Sequence, residues 1–353
     1  MSRLKKKAKN RLGKFLLILI LIGCGIGGYY LYKNIYLKGK DKKDEDIVEK
    51  VPIKEEEKKL KIVDINSTSR PYAVMINNIN KARPFQSGLQ DAYIIYEIIV
   101  EGGISRFMAL FLDQNTERIG SIRSSRHYFL DYALENDAIY VHHGQSPQAQ
   151  SDFRKLNIDR IAVTENKTGW RDKSLRTSRE HTLFTSIDKL GLESKKRTER
   201  NGNLLLNYSI DEIDLSLYEG AIKADQVIIN YSNSVKNSYI YNNDTKTYLR
   251  SVNGQNHIDY VTKRQYDFKN IIVYQVENYL LNDSEHKGRQ GIRNIGSGTG
   301  YYISDGYAIK INWQKDSRNK KTIYTLENGD ELKVNDGNTF IQIQPEGQLL
   351  QIS

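Results

Sequence analysis

The first 36 residues constrain this chain more than any later segment. Seven Lys and Arg between Arg3 and Lys14 precede an uncharged apolar run from Phe15 to Tyr32. A helix of that length rises about 27 Å, close to the hydrocarbon thickness of a bilayer. Basic residues resist translocation, so the tail over residues 1–14 is expected in the cytoplasm and everything beyond about Ile35 outside the membrane. No second run of this kind occurs. A cleaved secretory signal would need small residues around a cut site, and Cys24-Gly25-Ile26-Gly27-Gly28 supplies little but glycine, so two readings of the segment 15–36 carry forward. Leu21-Ile22-Gly23-Cys24 has the form of a bacterial lipobox, in which Cys24 becomes the lipidated first residue. An uncleaved single-span anchor is the other reading. Ile26, Tyr29, Tyr30, Leu31 and Tyr32 continue the apolar run past Cys24, and the Tyr cluster with Lys33 and Lys38 forms an aromatic-basic belt.

Cys24 is the chain's single cysteine, so the outward part has no disulfide and no thiolate nucleophile or metal ligand. The formal charge of +10 needs partitioning before it is interpreted. Seven of these charges lie in residues 1–14 and one at Lys33, which leaves +2 for residues 37–353. The basic balance therefore belongs to the anchor and gives no ground for nucleic-acid binding.

Residues 37–62 mix Lys, Glu and Asp with almost nothing to bury, and read as a solvated stalk. The remaining chain, from Val63 onward, is long for one core, so two domains are expected. The first, 63–205, alternates strands over 71–76, 92–100, 104–112 and 138–142 with a helix over His127–Asn136, which makes it α/β or α+β. The polar, Asn-rich stretch 191–218 divides it from a mostly antiparallel β domain over 219–353, where short β-rich runs alternate with turns.

Three motifs of the first domain could carry chemistry. Gly102-Gly103 joins two strand runs as a tight hairpin. If Glu101 pairs with Ile104, then Glu97 pairs with Met108, and Glu97, Glu101 and Arg106 share one face as two carboxylates tuned by a cation. Arg123-Ser124-Ser125-Arg126 leads into the helix. Ser124 or Ser125 would be the N-cap, and the two Arg, the hydroxyls and Arg106 suit a phosphate or carboxylate. His142 and His143 end a strand, where α/β proteins often place ligands. Adjacent side chains point to opposite sides of a strand, so one His faces a given site, and metal-ligand spacing is absent. His181 and His257 are weaker members of the same class. In the second domain, Gly296–Tyr302 is expected as a turn between strands, and Trp313, Tyr301, Tyr302 and Phe340 as core. No cofactor or metal is expected.

The segments RPYAVMINN, ARPFQSGLQDAYIIYE, VEGGISRFMALF, IGSIRSSRHYF, ALENDAIYVHHG, GSGTGYYISDGYAIKINWQKDS and FIQIQP resemble the YerB-like lipoprotein family of Gram-positive-type bacteria. The resemblance covers about Arg70 to Pro345. It implies an amino-terminal and a smaller carboxy-terminal domain and an exported location, and it brings no activity. The apolar run past Cys24 departs from that pattern, and Glu180-His181-Thr182 stands where the family is expected to carry Pro-His-Asn.

These observations support a membrane-tethered, outward-facing envelope protein that binds an anionic ligand or wall polymer, with a protein partner for the β-rich domain. The alternative is an envelope hydrolase or transferase using Glu97 or Glu101 with His142 or His143 as acid/base groups. An enzyme requires these side chains to converge on one site.

Overall fold

The computed structural model describes residues 25–33, 59–194, 199–282 and 285–353. The expected tail, Cys24 and most of the stalk lie outside the described residues. The chain divides into two compact units, Met1–Glu57 and Lys58–Ser353. In the first, residues 25–33 are helical and expose Ile26, Tyr29, Tyr30 and Leu31. Among the described residues no helix is long and apolar enough to cross a membrane.

The second unit is built on one 11-stranded sheet. From the amino-terminal region come β1 (Tyr72–Asn77), β2 (Ile94–Ile99), β3 (Ser105–Phe111), β4 (Ile139–His142) and β5 (Arg160–Ala162). A second, six-stranded sheet contains β6 (Gln226–Ser232), β7 (Val235–Asn242) and β8 (Thr247–Val252). The carboxy-terminal region also gives the large sheet β9 (Asn270–Val276), β10 (Gly296–Ser304), β11 (Tyr307–Lys315) and β12 (Thr339–Pro345). The large sheet runs β11-β10-β9-β12-β2-β3-β1-β4-β5, and both a two-residue strand, Ile222–Lys223, and the strand Ile323–Leu326 pair with β11. The amino-terminal region is thus mixed α/β and the carboxy-terminal region strand-rich with antiparallel pairs.

One sheet unites the two regions because β12 lies parallel to both β2 and β9. Every residue of β2, β3 and β12 is buried, as expected for strands covered on both faces. One face carries Met75, Tyr96, Met108, Leu110 and Ile341 beneath α1 (Phe129–Glu135) and α2 (Pro147–Lys155). The other packs Ile95, Phe107, Ala109 and Phe340 against Val227, Ile229 and Tyr239 of the smaller sheet. That smaller sheet alternates buried and exposed residues along β6 and β7, the signature of a sheet with one wet face.

Gly296–Tyr302 is not a turn but the body of β10. Its glycines serve close packing: a Cβ at Gly298 would sit 2.8 Å from Trp313 Nε1, and one at Gly300 would strike the Val273 carbonyl. Trp313, Phe340 and Tyr302 are buried in the core.

Candidate anion site

The β2–β3 hairpin differs by one residue from the expected pairing. Ile99 pairs with Ser105, Ile98 with Arg106 and Glu97 with Phe107. The loop is longer than two residues because Glu101–Gly103 forms a helical turn with Gly102 and Gly103 at φ 69° and 68°. A one-residue slip sends a side chain to the other face. Glu97 and Arg106 consequently lie on opposite sides of the sheet, and the shared face of Glu97, Glu101 and Arg106 does not form.

Glu97 is fully buried between the two sheets. Its carboxylate accepts from Arg250 Nη2 at 3.0 Å, Asn237 Nδ2 at 2.8 Å, Gln342 Nε2 at 3.2 Å and Ser105 Oγ at 2.5 Å. Arg250, equally buried, also donates to His257 Nδ1 at 2.7 Å and Tyr239 OH at 3.1 Å. Burial and the neighbouring guanidinium hold His257 well below the usual imidazole range, so it is neutral. This network ties the amino-terminal region to the smaller sheet. Sequence reasoning missed it, since an Arg in an alternating strand carries no signal of a partner 153 residues away.

On the opposite face the arginines come together. Residues 121–126 run extended between the end of β1 and the turn after β4. Arg123 N donates to Met75 O at 2.9 Å, His143 N to Arg123 O at 3.1 Å, and Ser125 N to Gly144 O at 3.0 Å. Gly144 has φ 76°, and a Cβ there would lie 2.9 Å from Ser124 Oγ. Because this strip is extended, Ser124 and Ser125 are not the helix cap. Tyr128 occupies that position without a side-chain cap, and α1 begins at Phe129. Ser125 is buried, and its Oγ lies 2.8 Å from Tyr140 OH.

Arg126 donates from Nε and Nη2 to the two oxygens of Glu101, at 2.5 and 2.9 Å. Burial opposes ionisation of Glu101, yet the paired donors of Arg126 hold its carboxyl below the ordinary value. Arg123 Nη2 donates to Glu180 Oε2 at 2.8 Å, which depresses that carboxyl as well. Arg123 Nε is buried with no partner among the described residues. Arg106 is 5% exposed and donates from Nη1 to Ser124 O at 2.5 Å. Among the described residues no carboxylate lies within ion-pair distance of it. Burial, with Arg126 and Arg123 close by, pushes its guanidinium down to about 9.

The histidines separate as adjacent strand residues should. His142 is sealed between Tyr140 and Phe153. It donates from Nδ1 to Gly144 O at 2.9 Å and accepts at Nε2 from Arg160 at 3.2 Å. Burial pushes it down to about 4. A neutral, enclosed imidazole cannot exchange protons with a substrate at the surface. His143 is exposed, with Nδ1 2.8 Å from Val163 O and Nε2 3.4 Å from Arg171. His181 is nearer the arginines than the sequence implied. Its Nδ1 accepts from Asn77 Nδ2 at 3.0 Å, and its Nε2 lies 3.5 Å from Glu180. Asn77 pairs with Arg106 across β1 and β3, which is how the fold brings His181 there.

Two domain models match the chain, the amino-terminal domain of a protein family of unknown function, DUF3048, over residues 60–200 and its carboxy-terminal domain over residues 227–341. The chain is 31% identical over 290 residues to the putative lipoprotein YerB of Bacillus subtilis strain 168, a match covering 80% of this chain and 84% of that one. The crystal structure of YerB from Bacillus subtilis superposes with a TM-score of 0.68 at 28% identity, covering 80% of this chain and 94% of that chain.

Proposed function

Since this chain belongs to the DUF3048 family, in which YerB is a putative lipoprotein, we propose that it is a membrane-tethered protein of the cell envelope that binds an anionic envelope ligand at Arg106, Arg123 and Arg126. The observation that carries the reading is charge imbalance. Three guanidinium groups meet two carboxylates, and the unmatched one, Arg106, is nearly sealed from solvent. Burying an uncompensated charge is expensive, so a fold that keeps one has a use for it. A phosphate or carboxylate would supply the missing charge. Glu180, whose side chain is 53% exposed, is the neighbour such a ligand can displace from Arg123.

Binding is favoured over turnover. Glu97 and His142 are enclosed, and Glu101 is held by both donors of Arg126. That leaves His143, which has the Arg171 guanidinium beside its Nε2 in place of a carboxylate. Titrating the full chain with glycerol 3-phosphate and with acetate tests the proposal. Arg106→Gln should weaken binding of the favoured anion at least tenfold, as expected for a charge-assisted hydrogen bond of about 1.5–3 kcal/mol, with the melting point held or raised. Unchanged affinity in Arg106→Gln and Arg123→Gln would make these arginines structural.

A further inference from the structure

A second donor-rich concavity shares no lining residue with these arginines. The loop before Gln86 in the amino-terminal region and the loop after β8 in the strand-rich region enclose a cleft of about 230 Å³. The two loops are clipped together. Tyr260 N donates to Gln86 O at 2.8 Å, and the Tyr260 ring meets Phe85 edge-on at 5.8 Å. Gly88 N donates to Asp259 Oδ2 at 2.9 Å.

Asp259 is the carboxylate among the lining residues, and its capacity is used. Oδ1 accepts from Val261 N and Thr262 N, both at 2.8 Å, and Oδ2 accepts further from Tyr266 OH at 2.7 Å. It shapes the loop and gives the cleft little counter-charge. Two cations remain unmatched among the described residues. Arg83 donates from Nη2 to Asn78 O at 2.9 Å and from Nε to Asn78 Oδ1 at 3.3 Å, with no carboxylate within ion-pair distance there. Burial and the nearby Arg250 bring its guanidinium down to about 10. Lys263 is exposed, its Nζ 4.1 Å from the Tyr260 ring centroid, and it too lacks an ion-pair partner among those residues. The amides of Asn80, Gln255 and Asn256 complete the wall, over Pro84 and Val252.

The arrangement combines two cations, amide groups, a phenol and an apolar floor. Its volume falls below the roughly 300 Å³ at which drug-sized pockets begin, so it suits a single ring. A guanidinium fork matches a carboxylate in two parallel hydrogen bonds. We infer that this cleft binds an acidic sugar: one hexose-sized polyhydroxyl ring whose carboxylate lies on Arg83 and Lys263 and whose hydroxyls meet Asn80, Gln255 and Asn256. The site is independent of Arg106, Arg123 and Arg126.

The experiment is calorimetric titration of the full chain in detergent micelles with D-glucuronate, D-glucose and D-glucose 6-phosphate, in the Arg123→Ala/Arg126→Ala background that silences the other anion site. Saturable glucuronate binding is expected, with glucose at least tenfold weaker. In that background Arg83→Gln should weaken glucuronate about tenfold or more, and Lys263→Gln severalfold. Lys263 is a solvent-exposed loop residue, so its variant decides the matter if Arg83→Gln fails to fold. Glucuronate that does not saturate, glucose that binds as well, a tighter 6-phosphate, or affinity indifferent to Lys263→Gln would each overturn the assignment.

Discussion

Removing one partner of the Glu97–Arg250 pair should be among the most damaging changes this fold can suffer. Both side chains are fully buried, and the pair joins β2 of the large sheet to β8 of the small one. Deleting one member of a buried pair leaves an uncompensated charge, which typically costs 3–5 kcal/mol. In Arg250→Met the carboxylate keeps Ser105, Asn78, Asn237 and Gln342 as donors, so the loss should sit near the lower bound. In Glu97→Leu the guanidinium keeps Asn237, His257 and Tyr239 but no anion. That variant should sit near the upper bound. Unfolding entropy is about 2.1 cal/mol/K per residue, so the roughly 300 residues of Lys58–Ser353 give ~0.6 kcal/mol/K. The melting point should therefore fall by about 5–8 °C. The double variant Glu97→Leu/Arg250→Met removes both charges together and should be more stable than Glu97→Leu alone. Differential scanning calorimetry of the four proteins closes the cycle. Losses below about 1 kcal/mol in both single variants, or a double variant whose loss is their sum, would refute the reasoning.

Other expectations concern pH, packing and the anchor. The folded state depresses His142 from 6.5 to about 4, so its contribution is complete above pH 6.5 and lost as pH falls towards 4, where the unfolded chain takes the proton first. The shift corresponds to ~3 kcal/mol, so stability measured by urea titration should decline less between pH 7 and 4.5 in His142→Asn than in the parent. Burial raises Asp131 from 3.8 to about 6, which has the opposite sign: the folded state gains on acidification through that window, and Asp131→Asn should decline more steeply than the parent. A parallel pH dependence in all three proteins would remove both assignments. Gly300→Ala drives a Cβ into the Val273 carbonyl and Tyr274, and should cost about 1–3 kcal/mol in thermal unfolding; a neutral result would mean that β10 can shift away from β9. Mass spectrometry of membrane-extracted protein should find either an intact Met1 peptide, as a single span requires, or a diacylated Cys24, as a lipoprotein requires.

Much of the fold was legible because it rests on local pattern. The runs at 92–100 and 104–112 read as paired strands from their apolar content and the glycines between them, and the β2–β3 hairpin is there. Its register was not legible, because the number of residues in the loop depends on whether Gly102 and Gly103 form a two-residue turn or the end of a helical one. That single residue decides which face Glu97 occupies. The arginines at 106, 123 and 126 could be suspected from composition and proximity. His181 could be suspected only weakly and not placed beside them, because it reaches Arg123 and Arg106 through Glu180 and Asn77.

The sequence by itself determined the periodic and the compositional. These are a basic tail before an apolar run, strands alternating with helix in one region and strands throughout the other, and an Arg-Ser-Ser-Arg strip ahead of the helix. Such properties depend on residues within a few positions of one another. Tertiary structure alone decided that β12 enters between β2 and β9, which makes one sheet of two regions. It also decided that Glu97 is matched by Arg250 while Arg106 is left without a carboxylate among the described residues. Long-range pairing selects charge partners by distance in space, and no spacing along the chain encodes that distance.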